Sequence, residues 1–167
     1  SGLPLGTTAS FSPISCSPNC TSTLTLQTSG STPIGTSTIT VNGTASALVH
    51  PTTFTLTVTS IPTLSVNLTA LPSSGVAPLS LVDLTATVGG TVLGNINYTF
   101  YCDRPDTGTN ITTPYAAKYD NQTLTTFTAT DVCNYTNPGS YTAKVIVERG
   151  TLTSQAQATI SVSSPTP

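Results

Sequence analysis

Charge is what this sequence has least of. Asp, Glu, Lys and Arg together make up 6% of the 167 residues, against about a quarter in an average soluble domain. Nucleic acid is held by a basic stripe that releases counterions. The only cations here are Arg104, Lys118, Lys144 and Arg149, which form no such stripe, so a nucleic-acid partner is excluded. The net charge of −2 gives no reason for a cationic partner. Trp and Met are absent, and the aromatics are six Tyr and four Phe. A carbohydrate-binding module, which stacks sugars on exposed rings, is therefore the weakest alternative for this chain. No run of about eighteen apolar residues occurs, so no membrane-spanning helix is expected. No leader peptide is visible, and Ser1 reads as a mature terminus or the start of a fragment.

What is present is threonine. Thr and Ser account for 57 of the 167 residues, and the apolar share of 37% is enough for packed cores. Thr is β-branched and suits a pleated surface. Apolar residues alternate with it in the period-two pattern of half-buried strands. The pattern runs through Leu24 and Leu26, Ile39 and Val41, and Phe54, Leu56 and Val58. It restarts after "SIPT" with Leu64, Val66 and Leu68, then continues through Leu84–Val88, Ile96–Cys102, Tyr141–Val147 and Ala156–Val162. No window has helical periodicity. "PSSG", "GG", "NPGS" and "RGT" carry turn chemistry. The fold class is all-β. Residues 61–167 hold about seven strands, enough for an immunoglobulin-like sandwich. Residues 1–60 hold only about four or five, so a first sandwich is incomplete.

The segment "SGLPLGTTASFSP…STLTLQTSGSTPIGTSTITVNGTASALVHPTTFTLTVT" resembles the second half of an Ig-like repeat of bacterial surface proteins. "APLSLVDLTATV…INYTFYC…YTNPGSYTAKVIVERG…AQATISV" resembles a PKD-like repeat, another Ig-like sandwich from the same setting. The resemblance implies two tandem sandwiches and a cell-surface location. It also marks a departure, since about two or three opening strands of the first repeat are missing before Ser1. Such sandwiches host many roles, so the resemblance leaves function to the residues.

Four cysteines in a nearly uncharged chain point to an oxidising, extracellular compartment and two disulfides. Cys16 and Cys20 flank a Pro turn, where a bridge contributes about 2 kcal/mol by loop closure. Cys102 and Cys133 would close a longer loop for about 3.7 kcal/mol. Local pairing is favoured over the two crossed connectivities. Asn19, Asn42, Asn67, Asn97, Asn110, Asn121 and Asn134 each precede a Thr by two positions, making them candidates for covalently attached glycans. Part of that excess has a structural origin, because one exposed strand face repeats every second residue.

A hydrolytic triad needs a His within reach of a nucleophile and an acid. His50 reads as a loop residue before a strand, with no acid near it in sequence. No enzyme, cofactor or metal is expected. Asp103 and Asp106 could share a Ca²⁺ with backbone carbonyls, but such residues more often cap turns. "LPLGT" has the wrong order and place for a sortase signal, and the first domain has no Lys for an isopeptide link.

The N-terminus offers a non-covalent route instead. Leu3, Leu5, Ala9 and Phe11 share one parity within residues 1–12, giving an amphipathic strand. An open sheet groove accepts such a strand by β-augmentation. An incomplete sandwich and a candidate donor strand on one chain imply donor-strand exchange between copies of this protein, by analogy with chaperone-assembled bacterial pili. The alternative is a stalk or adhesin repeat within a larger surface protein.

Overall fold

The chain is described over residues 1–17 and 19–166 by a computed structural model. It is all-β. The described residues form twelve strands and no helix, and contacts divide the chain into Ser1–Ile61 and Pro62–Pro167.

The first unit consists of two hairpins. β1 (Thr7–Ser12) pairs antiparallel with β2 (Thr23–Thr28). β3 (Gly35–Ala45) pairs with β4 (Leu48–Val58) in an unbroken antiparallel register from Gly35 opposite Val58 to Ala45 opposite Leu48. Residues directly opposite one another share a face. One face of β3–β4 therefore carries Ile39 with Phe54 and Ser37 with Leu56. The other sets Thr36, Thr38 and Thr40 against Thr57, Thr55 and Thr53, a hydroxyl-clad face of β-branched residues. His50 is not in a loop. It lies within β4 opposite Gly43 and is exposed. The Pro that follows it does not end the strand, because its missing N–H is at a position where β3 needs no donor.

The second unit encloses one core between two sheets. β5 (Leu64–Leu71), β7 (Leu79–Gly90) and β10 (Thr126–Tyr135) form an antiparallel sheet with β7 central. The second sheet runs in the order β6 (Ser74–Val76), β12 (Leu152–Ser163), β11 (Gly139–Arg149), β8 (Ile96–Tyr101) and β9 (Ala117–Gln122). Leu84, Val82 and Ala86 from the first sheet meet Tyr98, Phe100, Val145, Val147 and Ile160 from the second, all fully buried. Each large side chain contributes about 1.5–3 kcal/mol by leaving water. The eight strands exceed the number expected from pattern. β6 sits in the "PSSG" stretch that carries turn chemistry, yet it pairs in parallel with Ser161–Ser163 of β12. Three residues are too few to show a period, and Gly75 lets Leu79 pack closely there, since a Cβ would lie 2.6 Å from the end of the Leu79 side chain, which would have to shift.

Both disulfides are local. Cys16 is bonded to Cys20, and Cys102 to Cys133 with their Cα atoms 5.5 Å apart. The second bridge joins the end of β8 to β10 and so ties the two sheets together.

Candidate functional site

The two units are unequally filled. The second holds nearly all the buried apolar side chains, whereas Ile39, 3% exposed, is the sole fully buried apolar residue described in the first. Beside Ile39 lies an open apolar groove of about 220 Å³. Leu24 and Leu26 of β2 and Ile39 and Val41 of β3 line it. So do Ala9 and Phe11, which stand opposite Leu26 and Leu24 in the β1–β2 register. Leu3 closes one end.

Three of the four N-terminal apolar residues thus share this groove, and Phe11 there remains 43% exposed. Leu5 does not join them and is 83% exposed. The chain turns between Pro4 and Thr7, whose N–H donates to the Pro4 carbonyl at 3.1 Å. Gly6 occupies the left-handed region in that turn, at φ 76°. The buried Thr32 hydroxyl donates to the Gly6 carbonyl and accepts from Ser29 N–H, both at 3.0 Å. Residues 7–12 are not free-ended in the isolated chain, since β1 is hydrogen-bonded along its length to its own β2.

All ten Asp, Glu, Lys and Arg residues belong to the second unit, and the first has none. The groove therefore has no charged side chain to repel another strand. Besides the apolar side chains its lining includes Ser1, Thr40 and Asn42, and no acid or His.

A separate polar cluster holds the connection between β8 and β9. The Lys144 side chain is fully buried and donates to the Asp106 carbonyl at 2.6 Å, the Gly108 carbonyl at 2.5 Å and the Asp106 carboxylate at 3.0 Å. Three acceptors around one ammonium offset the loss of its hydration. Arg104 also pairs with the Asp106 carboxylate and lies over the Tyr101 ring, 4.5 Å from its centroid. The Arg104 hydrogen bond, then that of Lys144, holds the Asp106 carboxyl well below the usual carboxylate range. Asp103 accepts from Thr142 N–H at 3.0 Å. Asp103 and Asp106 thus have protein donors. The Arg104–Lys144–Asp106 network was invisible in the sequence, since Lys144 looks like an outward residue of an alternating strand. Burial and a nearby Asp103 charge push the Tyr135 phenol up to about 12, and its hydroxyl donates to the Cys102 carbonyl at 2.8 Å.

The seven Asn-x-Thr sites are dispersed. Asn19 lies in the Cys16–Cys20 loop, Asn42 on β3, Asn67 on β5, Asn97 on β8, Asn110 between β8 and β9, Asn121 on β9 and Asn134 on β10. All are exposed except half-buried Asn97. The Asn97 side-chain oxygen accepts from Asn121 N–H at 2.9 Å, and that of Asn134 accepts from Leu81 N–H at 3.0 Å.

No family model matches the chain, and no curated protein matches it either.

Proposed function

We propose that this chain is a structural subunit of an extracellular, pilus-like filament, built from two tandem immunoglobulin-like sandwiches and assembled by β-strand complementation between protomers. The observation that carries this reading is the apolar groove beside Ile39 in a unit that buries almost nothing else. Among the described residues of this unit one apolar side chain is fully buried and Leu24, Leu26, Val41, Leu56 and Val58 are half-buried, which is little to set against the entropy of ordering about sixty residues. A strand from a neighbour would supply the missing apolar surface and backbone pairing.

The donor is residues 1–12 of the neighbouring copy, with Leu3, Ala9 and Phe11 as anchors and Leu5 joining them once the Pro4–Thr7 turn opens. The isolated chain then corresponds to a self-paired form in which its own β1 rests on β2. Exchanging the segment between copies gives a heterologous contact that propagates without closing. Two disulfides suit an oxidising exterior, and exposed Asn-x-Thr sites are available for glycans. The role is structural rather than catalytic.

The test is a parity contrast. Phe11→Asp should abolish filaments seen by electron microscopy, because an unpaired carboxylate in the groove costs several kcal/mol. Ser10→Asp, on the opposite face of the same strand, should assemble normally. A peptide of residues 1–15 should raise the melting temperature of a chain lacking residues 1–12 by mass action. Equal behaviour of the two variants would overturn the reading, and a stalk or adhesin repeat would lead if no filaments form at all.

A further inference from the structure

Backbone geometry singles out one acceptor edge. Thr40 N–H donates to the Ser1 carbonyl at 3.0 Å, and Ser1 nitrogen donates to the Thr40 carbonyl at 2.7 Å. Both polar groups of Thr40 therefore point away from β4. In an antiparallel pair this orientation alternates, and the β3–β4 register is unbroken. Thr36, Thr38, Asn42 and Thr44 must present their N–H and C=O groups along the same free edge. The register supports this independently. Asn42 stands opposite Pro51, which has no N–H and is tolerated only where the partner strand needs none.

The two edges of the hairpin are thus unlike. On β4, Pro51 interrupts the outward row of donors, a common way of blunting an edge. β3 has neither Pro nor charge over eleven residues. The backbone of its own chain engages this edge at Thr40 and closes against it at Gly2, where a Cβ would collide with the Thr38 carbonyl. Gly2 adopts φ 85°, a conformation that favours glycine.

We propose that the free edge of β3, from Thr36 to Thr44, is the acceptor for the N-terminal strand of a second copy, and that Ser1–Gly2 is a placeholder on it in the isolated chain. This rests on the strand-complementation reading and adds which edge is used. Two observations favour a second copy as occupant. The segment already touching this edge in cis is the same segment a neighbour would present. Neither that segment nor β3 has a charged side chain to set copies apart. The cis contact is short because Gly2, at φ 85°, takes the chain out of the extended conformation directly after Ser1, and a turn follows at Pro4. A strand from a second copy is free of that turn and can choose its register.

Proline substitutions on the two edges test this. Thr36→Pro and Thr38→Pro remove outward N–H groups that serve no strand of their own chain, as do Thr53→Pro and Thr55→Pro on β4. Each is made in the full chain, with a melting curve of the soluble fraction as the folding check. The β3 prolines should each weaken assembly by about tenfold, read as the sedimentable fraction against concentration. The β4 prolines should leave assembly unchanged. Gly2→Ala, which dislodges the placeholder, should shorten the lag before assembly. If both edges respond alike, or neither does, while Phe11→Asp still blocks filaments, complementation stands and the β3 edge is wrong. If Phe11→Asp also assembles, the reading beneath it fails too. Should a β3 proline prevent folding, the lag of the Gly2→Ala chain decides: an unchanged or lengthened lag removes the placeholder.

Discussion

At the scale of single residues, Lys144 has the clearest energetic role. It is the largest buried charge-bearing side chain described, and its ammonium sits among two carbonyls and a carboxylate from a loop about forty positions away in sequence. Lys144→Met keeps the volume but strands those acceptors, so it should destabilise the second unit by about 3 kcal/mol in chemical denaturation. Hydrogen exchange should quicken first in residues 103–110. Asp106 adds a pH dependence of known sign. Its folded pKa is depressed, chiefly by the Arg104 hydrogen bond. Its contribution is present above the unfolded value of about 3.8 and fades as pH falls through the lower folded value. Stability of Asp106→Asn should therefore lie below that of the wild type at neutral pH. The gap should stay constant down to about pH 5 and close only in strong acid. A gap that closed near neutrality would mean that another group is responsible.

At the scale of elements, the two disulfides should differ in what they hold. Replacing Cys102 and Cys133 by Ser should cost the second unit about 3.7 kcal/mol, because that bridge closes a long loop between sheets. Replacing Cys16 and Cys20 should cost about 2 kcal/mol, felt in the first unit alone. Separate melting of each unit, followed by probes in each, would check both. The strands themselves were largely legible. "TLTLQT", "STITVN" and "FTLTVT" form β2, β3 and β4 because alternation at period two survives wherever one face is covered. β6 was hidden, since a three-residue parallel strand next to Pro has no period to read. His50 was misplaced because Pro51 resembles a strand boundary, and its harmless position depends on register across the hairpin. The groove was legible by half. Parity grouped Leu3, Ala9 and Phe11, but their meeting with Ile39 and Val41 depends on how the two hairpins close, which no local pattern encodes. Lys144 was unreadable for a related reason, its partners being remote in sequence.

At the scale of the molecule, the uneven division of charge separates two behaviours that a single stability measurement would blur. The second unit carries every Asp, Glu, Lys and Arg, including the Arg104–Asp106–Lys144 network, so its stability responds to acid. The first unit carries none, and His50 is its one ionisable side chain besides its disulfide-bonded cysteines. If subunits join through apolar groove and backbone edge in that unit, assembly has no ion pair to screen. Raising ionic strength from about 0.01 M to about 1 M shortens the Debye length from about 30 Å to about 3 Å. An interface held by charge pairs would weaken markedly over that range. This one should keep its assembly constant within about threefold, or strengthen slightly where a strongly hydrated salt such as sulfate is used. Assembly should be equally flat between about pH 5 and about pH 7, and His50→Ala should leave it so. Light scattering of the purified chain across salt and pH gives both curves. A steep loss with salt would place the subunit contact on the charged second unit, and the groove of the first would then need another occupant.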